Sequence, residues 1–284
     1  MKTPISVYIP SYNVEKFIGL CIEHLLAQTY SPDEILVIND GSTDKTIEIA
    51  QKYPVKIIHH EKNMGLSCAR NTGIQNSKNQ WVASIDADCM AHPDWLKKLS
   101  HHLDTPNTGG IGGKLVEHFS NKITDRWRAV HMRQHWWDQQ QVNPMFLFGH
   151  SNIFNKEAIQ KAGGYNPKYR TNYEDVDICN KIRQTGYNLI YEPTAVVEHY
   201  RRDTIYTDLK AYWQWTLFDK VEPSTIKSLL VKWKFNLGKS IQFIKSDYHE
   251  GHKDLIGINL LLFPYHCYFD WKYWKNYKYT GSYR

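Results

Sequence analysis

The chain has 284 residues, of which 42% are hydrophobic and 23% charged, and a formal net charge of +6. This composition is ordinary for a globular protein, and the length suits one large α/β domain with an appendage or two small domains. Residues 226–284 hold ten Lys/Arg and four Asp/Glu and so carry the whole excess charge, which indicates local contact with an anionic surface and argues against a nucleic-acid-binding protein.

The five cysteines include no C-x-x-C pair. This pattern argues against a disulfide framework or a zinc site and favours a reducing compartment. The N-terminal residues enter a strand without a charged leader and apolar core, so we expect no signal peptide and a cytoplasmic location. No run of about 18 apolar residues is present, so we expect no membrane-spanning helix.

Strands and helices alternate along the first part of the chain. Apolar runs predict strands at 5–10, 35–39, 55–59 and 81–85, and helical spacing predicts helices at 14–29 and 46–52 and within 65–76. This order predicts the α/β class, with a mostly parallel, Rossmann-like sheet flanked by helices.

The elements beyond residue 90 are less regular. We predict helices at 93–102, 156–163 and 172–183, an apolar segment at 146–154, and strands at 109–116, 189–192 and 195–199. Residues 119–145, rich in Trp, His and Gln, are expected to be irregular. The first turn has neither G-x-G-x-x-G nor a G-x-x-x-x-G-K-[ST] phosphate loop, so the dinucleotide fingerprint is absent.

Polar residues follow three of the predicted strands. Pro10-Ser11, Asp40 and Asp86/Asp88 all lie at carboxyl ends, where open α/β sheets bind ligands. Two carboxylates one residue apart at the end of a buried strand repel each other unless a cation lies beside them. The pattern therefore predicts a Mg²⁺ or Mn²⁺ site, and the alternative is a turn with two solvated aspartates.

Five motifs in order carry a family resemblance. They are VYIPSYN at 7–13, INDGSTD at 38–44, Asn63-x-Gly65 with Ala69-Arg70-Asn71, Asp86-Ala87-Asp88, and EDVD at 174–177. Over about residues 5–200 the chain resembles the family-2 glycosyltransferases with the A-type nucleotide-diphospho-sugar transferase fold. The resemblance implies an inverting, metal-dependent transfer of a sugar from a nucleotide-diphosphate donor to a hydroxyl of a glycan or lipid-linked glycan, as in cell-surface polysaccharide biosynthesis.

The resemblance also implies residue roles for the nucleotide. Asp40 would accept a hydrogen bond from the base, Pro10, Ser11 and Tyr12 would shape the base pocket, and Arg70 would lie near the nucleotide. A carboxylate accepts from uracil or guanine alike, and UDP is favoured over GDP as the donor nucleotide. The alternatives are a helix cap for Asp40 and a surface ion pair for Arg70.

The remaining roles concern metal and chemistry. By resemblance Asp86 would meet the ribose and, through water, the metal, and Asp88 and His199 would ligate the metal. Asp175 would be the general base, with Glu174 the second candidate, and the alternative is an acidic first helical turn. The predicted sugar-contacting residues are Gly149, His150 and Asn152 on the donor side and Trp136 and Trp137 on the acceptor side, the last two with packing in a lid as the alternative.

The last sixty residues have a different character. Ile226, Leu229, Leu230, Trp233, Leu237, Ile241 and Ile244 share one helical face bordered by lysines. We therefore predict a domain at 1–224, with its acceptor side at about 110–224, and an amphipathic helical extension at 225–284. The extension is expected to lie on an anionic membrane as a peripheral contact, and the alternative is packing on the catalytic domain.

Two other functions remain open. A nucleotidyltransferase of the same fold would need a glycine-rich basic loop after the first strand, where Ser11-Tyr12-Asn13 stands. A non-catalytic sugar-binding scaffold would not need Asp86, Asp88 and Asp175 together.

Overall fold

The computed structural model describes residues 2–217 and 225–280, with the backbone alone at 277–280. The chain divides into two compact units. The first unit comprises residues 1–118 and 134–201, and the second comprises residues 119–133 and 202–284.

The elements run in chain order as follows. The first unit begins with β1 Ile5–Ser11, α1 Ile18–Leu26, β2 Glu34–Asn39, α2 Thr46–Ala50, β3 Lys56–His59, α3 Leu66–Asn76, β4 Trp81–Ile85, β5 Cys89–Ala91, α4 Trp95–Ser100 and β6 Thr108–Glu117. After α5 Ile123–His131, which belongs to the second unit, it continues with β7 Gln141–Val142, β8 Ser151–Asn155, α6 Lys156–Lys161, α7 Glu174–Gln184 and β9 Asn188–His199. The second unit adds α8 Ile205–Thr216, α9 Ile226–Glu250, a 3-10 turn Lys253–Leu255 and α10 Ile256–Thr280.

The first unit is built on one sheet with the strand order β3-β2-β1-β4-β8-β6-β9-β5 and with β7 on β9. The predicted α/β class is confirmed. The strands β3, β2, β1 and β4 are parallel, as expected, but β8 runs antiparallel to both β4 and β6. The sheet is therefore more mixed than predicted. Because Ile85 at the end of β4 pairs with Ser151 at the start of β8, residues 86 and 150 meet at the same edge.

Apolar side chains cover both faces of the sheet. Val7 and Ile9 of β1 pack with α1 on one face, and Tyr8 packs with α3 on the other. Burying one large aliphatic side chain contributes about 1.5–3 kcal/mol, so this two-sided core fixes the strand ends that form the site. Helix α3 lies so close to the sheet that a Cβ at Gly73 would be 2.5 Å from the Tyr8 ring. The absence of a side chain at Gly73 permits this packing.

Two local expectations are corrected. The strands predicted on either side of Pro193 form the single strand β9, whose pairing with β6 shifts register between Tyr191 and Val196. Proline lacks an N–H, and a bulge is where a strand tolerates it. The stretch 119–145, expected to be irregular, contains α5 and β7.

The domain boundary also differs from the prediction. The predicted boundary at 224 lies outside the described residues, and α5 and α8 belong to the same unit as α9 and α10. Buried hydrogen bonds explain this grouping: Trp127 Nε1 donates to Asn259 Oδ1 (2.7 Å), and Trp213 Nε1 donates to Asp270 Oδ1 (2.9 Å). Within the described ranges, none of the helices combines the length and apolar character needed to cross a bilayer.

Candidate active site

A pocket of about 280 Å³ opens at the carboxyl ends of β1 and β2. Four residues predicted to meet a nucleotide line it together: Pro10, Ser11, Tyr12 and Asp40. The other lining residues come from the start of α3 and from the loop before α7: Asn63, Gly65, Leu66, Ala69, Arg170 and Thr171. The strand ends thus bring the predicted residues into one concave site.

The carboxylate of Asp40 is fixed by three donors. Its Oδ1 is 2.7 Å from His60 Nδ1 and accepts from the N–H of Met64 (2.8 Å), and its Oδ2 accepts from the N–H of Gly65 (2.8 Å). The first turn of α2 is held instead by Asp44, which accepts from the Thr46 N–H at 3.0 Å. Since a carboxylate offers about four acceptor sites, Asp40 keeps about one for a ligand.

Arg70 is buried beneath the site, with 1% of its surface exposed. The alternative interpretation, a surface ion pair at Arg70, is therefore wrong. Its Nη1 donates to Ser84 Oγ (2.8 Å), its Nη2 donates to Asp86 Oδ1 (3.1 Å), and its Nε is 3.6 Å from Glu174 Oε1. Burial opposes the charge on Arg70, but Asp86 and other neighbours raise the pKa above its usual value. A permanently charged guanidinium therefore joins the end of β4 to the start of α7.

The segment before β8 closes around this guanidinium. The Asp86 N–H donates to His150 O (3.2 Å), and the Gly149 N–H donates to Asp175 Oδ2 (3.2 Å). A Cβ at Gly149 would lie 2.7 Å from Arg70 Nη2 and 3.2 Å from Glu174 Oε1. Glycine is thus required here by close approach.

The predicted donor-sugar residues beside Gly149 are buried. Asn152, 1% exposed, donates from Nδ2 to the carbonyls of Phe148 and Gly149 (both 3.2 Å). His150, 2% exposed, has Nε2 3.2 Å from Gln134 O, and burial lowers the pKa of its imidazole to about 3. His150 is therefore neutral. Asn152 holds the backbone of this segment, and His150 links the segment to Gln134.

The two acidic candidates on α7 differ in environment. Glu174 is 4% exposed, and burial together with the charge of Asp175 raises its pKa to about 8. Asp175 is half-buried and accepts from the N–H groups of Val176 (2.8 Å) and Gly149 (3.2 Å). Burial raises the pKa of Asp175 as well, although the two N–H groups and Arg70 oppose the shift. At neutral pH Glu174 holds a proton, whereas Asp175 has the exposure that a base needs.

Replacing Glu174 with Gln is expected to stabilise the protein at pH 8 and to change little at pH 5. An unfolded Glu loses its proton near its usual pKa of 4.5, whereas native Glu174 keeps it until about pH 8. Stability of the native protein therefore falls as the pH rises between these values, and glutamine removes that loss. Melting temperatures of both proteins from pH 5 to 8 measure the effect, and a variant less stable than the native protein at pH 8 would contradict it.

The predicted metal ligands meet at the ends of β4 and β9. His199 Nε2 lies 3.3 Å from Asp88 Oδ2, and His199 Nδ1 lies 2.8 Å from Glu117 Oε2. A carboxylate on the second ring nitrogen is the usual support of a metal-bound histidine. Over 2–217 and 225–280, no three His, Cys, Asp or Glu side chains form a metal site by themselves. Asp88 and His199 fit a Mn²⁺ or Mg²⁺ ion that takes its other ligands from substrate phosphates and water.

The two tryptophans predicted to stack on an acceptor sugar lie in different surroundings. Trp136 donates from Nε1 to Phe146 O (2.6 Å) and packs against the rings of Phe146 and Phe148. Trp137 is 65% exposed and has a backbone φ of 74°. Trp136 is thus part of an aromatic cluster, and of the two tryptophans only Trp137 has a ring that is mostly exposed to solvent.

Sequence reasoning missed three supporting residues. His60 follows β3 directly, so the strand-end rule that identified Asp40 would also have found it. Glu117 ends β6, but its place beside His199 depends on the β6–β9 pairing, which no local signal gives. Arg170 donates from Nη2 to Asn63 Oδ1 (2.9 Å) across the pocket, a contact that only the fold reveals.

Known proteins resemble this chain in sequence. Residues 6–163 match the family model described as Glycosyl transferase family 2. The uncharacterized glycosyltransferase EpsJ of Bacillus subtilis is 34% identical over 125 residues, which are 42% of this chain and 36% of EpsJ. Glycosyltransferase AglE of Haloferax volcanii is 27% identical over 207 residues, 69% of this chain and 66% of AglE. The chain thus spans about a third of EpsJ and about two thirds of AglE.

Solved structures show the same fold. A mannosyltransferase from Pyrobaculum calidifontis, in complex with GDP-Man and Mn²⁺, superposes with a TM-score of 0.63 at 15% identity over 94% of this chain and 87% of that chain. GalNAc-T7 with UDP, GalNAc and Mn²⁺ has a TM-score of 0.57 at 20% identity over 70% of this chain and 44% of that chain.

Proposed function

The chain belongs to glycosyl transferase family 2, and from this membership we propose an inverting, metal-dependent glycosyltransferase. It would move a sugar from a nucleotide-diphosphate donor to a hydroxyl of a glycan or lipid-linked glycan. The main observation in support of the proposal is that helix α3 connects the nucleotide pocket to the predicted metal and base residues. Ala69 lines the pocket of Asp40, and the next residue, Arg70, contacts both Asp86 and Glu174.

The donor nucleotide is proposed to be UDP. Asp40 Oδ1 already faces two protein donors and Oδ2 faces one, which leaves a single acceptor position. Uracil presents one ring N–H and needs only one acceptor, whereas guanine presents two neighbouring donors and would use both carboxylate oxygens. Of the two solved structures with the same fold, GalNAc-T7 is in complex with UDP, and the mannosyltransferase is in complex with GDP-Man.

The metal is proposed to be Mn²⁺ or Mg²⁺, held by Asp88 and His199, with Asp86 facing the ribose. Glu117 orients His199 through Nδ1, at 2.8 Å. When bound, the cation supplies positive charge that stabilises the departing nucleotide diphosphate. Arg70, buried between Asp86 and Glu174, keeps Asp86 in place.

The base is proposed to be Asp175. A sugar hydroxyl is a poor nucleophile, and a carboxylate within hydrogen-bond distance accepts its proton as the new bond forms. The Val176 and Gly149 N–H groups orient Asp175. Attack opposite the leaving diphosphate inverts the anomeric centre. Protonated Glu174 would position Arg70 without taking part in proton transfer.

The experiment is a thermal-shift measurement with UDP and GDP, each with and without Mn²⁺. The proposal predicts a shift with UDP that grows with Mn²⁺ and a smaller shift with GDP, because a ligand that binds only the native state raises the melting temperature. No shift under any condition would favour a non-catalytic scaffold. A nucleotidyltransferase would show a response to nucleoside triphosphates and sugar phosphates instead.

The cellular setting is a further part of the proposal. We place the enzyme on the cytoplasmic side of a membrane, as a peripheral protein in cell-surface polysaccharide synthesis. A lipid-linked acceptor would be met there. Recovery of the protein only in the membrane-free fraction after cell fractionation would contradict this setting.

A further inference from the structure

The helix α9 is oriented with polar residues inward. Its buried residues are Leu229, Lys232, Asn236, Ser240 and Asp247. Five large apolar or aromatic side chains form an exposed stripe along it, hereafter the α9 stripe: Ile226, Leu230, Leu237, Ile241 and Tyr248, with exposures from 42% to 61%. The predicted apolar face thus exists, but most of it faces outward. A helix in a water-soluble bundle normally has the opposite arrangement.

Buried hydrogen bonds fix this orientation. Asp270 of α10 accepts from Trp213 Nε1 (2.9 Å) and from Asn236 Nδ2 (2.8 Å). Asp247 accepts from Asn259 Nδ2 (2.6 Å) and lies 3.0 Å from His131 Nε2. Rotating α9 to hide its stripe would break these contacts and leave buried carboxylates without donors, which is costly. The stripe is therefore a stable feature of this unit.

The helix α10 also exposes apolar side chains. Leu260, Leu261, Tyr268 and Trp271 are between 43% and 61% exposed. Helical periodicity places all four, with Pro264, on one side of α10, away from the buried Asn259, His266 and Asp270. Tyr and Trp near one end of an apolar face are typical of the boundary between lipid and water.

The charges beside these surfaces have one sign. Lys227, Lys234 and Lys245 border the α9 stripe, and Lys272 and Lys275 follow Trp271; all five are exposed. Two of the three acidic residues within the two helices, Asp247 and Asp270, are 0% exposed. The third, Glu250, is exposed and is the last residue of α9, and the exposed Asp254 lies in the 3-10 turn that follows. Lysines flanking an apolar stripe can extend their charged ends to lipid headgroups.

We propose that α9 and α10 dock on an anionic phospholipid surface, with the α9 stripe entering the headgroup region and the lysines contacting the phosphates. A second copy of this chain fits less well, because a symmetric contact through the same face would bring lysines against lysines. The inference deepens the proposed peripheral location and is independent of the proposed reaction. Lipid binding is measured without substrates, so a failure of the lipid-docking proposal is distinguishable from a failure of the proposed sugar transfer.

The experiment is co-sedimentation of the full chain with vesicles of phosphatidylcholine, alone or mixed with phosphatidylglycerol. The double variant L237E/I241E places two charges in the α9 stripe, and the control Q242E/H249E places two charges at exposed positions outside it. The native chain and the control are expected to pellet with the anionic vesicles. L237E/I241E is expected to lose binding by at least about tenfold, since buried apolar area and charge attraction set the affinity.

A lysine variant tests the electrostatic part. K234Q/K245Q is expected to weaken binding to anionic vesicles by about fivefold for each lysine and to leave the fold unchanged. Equal pelleting of the native chain and L237E/I241E would overturn the proposal, as would equal binding to neutral vesicles. Absence of lipid binding together with a dimer that L237E/I241E abolishes would assign the stripe to a second copy. Equal melting temperatures establish that each variant is folded.

Discussion

Replacing Asp175 with Asn is expected to lower kcat by about 100- to 10,000-fold, the usual contribution of a general base, and to leave donor binding intact. The Val176 N–H donates to Oδ1 of Asp175 and the Gly149 N–H donates to Oδ2. Asparagine retains one of these two acceptor oxygens but cannot take up the acceptor proton. Steady-state kinetics with the donor found by screening, together with donor titration by calorimetry, measure the two parts separately.

The matched control is Asp177→Asn on the same helical turn. Asp177 forms an ion pair with Lys181 at 2.7 Å, and its loss changes the charge at the start of α7 by the same amount. This variant is expected to keep nearly full activity. If Asp175→Asn transfers sugar at the native rate, Asp175 is not the base, and Glu174 would have to be tested in its place.

Replacing Asp88 with Ala is expected to abolish the part of nucleotide binding that depends on Mn²⁺. The substitution removes the carboxylate 3.3 Å from His199 Nε2 and leaves the Asp88 carbonyl that accepts from the Tyr200 N–H. The fold should therefore survive. Titration with UDP in the presence of Mn²⁺ and of EDTA gives the measurement, and native-like enhancement by Mn²⁺ in the variant would place the metal elsewhere.

Replacing Glu117 with Gln tests whether Glu117 supports the metal ligand His199 without binding the metal itself. Losing the carboxylate at His199 Nδ1 is expected to weaken Mn²⁺ binding by about 10- to 100-fold, a typical effect of removing such a partner. Glu198, the neighbour of His199 on β9, contacts His92 and His118 instead. Glu198→Gln is therefore the matched control and should retain the native Mn²⁺ affinity.

The parallel half of the first unit could be predicted from the sequence. Its strands are buried on both faces, so they appear as short apolar runs ending in polar residues, and the predicted bounds of β4 are the observed ones. Ligands bind such sheets at the carboxyl ends of the strands, and this rule predicts that Asp40 and Asp86 lie at the same edge of the sheet. The antiparallel insertion of β8 was not predictable, because the direction of a strand follows from long-range pairing.

The second unit shows a different limit of sequence reasoning. Helical periodicity groups the apolar side chains of α9 on one face, but it does not tell which side of a helix is buried, and Leu229 of that face is buried while most of the others are exposed. Here the buried side is set by partners far away in the chain: Asn236 bonds to Asp270, and Asp247 lies beside His131. Helix α5 was missed because its buried face carries polar residues, including Asp125 and Arg128, which weaken the apolar period.

Release of nucleotide diphosphate from a panel of nucleotide sugars tests the central claim most directly. The account predicts that one donor, with UDP as its nucleotide, is hydrolysed well above the others in the presence of Mn²⁺. Adding EDTA should abolish that release, and Asp88→Ala should abolish it as well. Release that is unaffected by EDTA and by Asp88→Ala, or no release from any donor, would contradict a cation-assisted departure of the diphosphate at these strand ends.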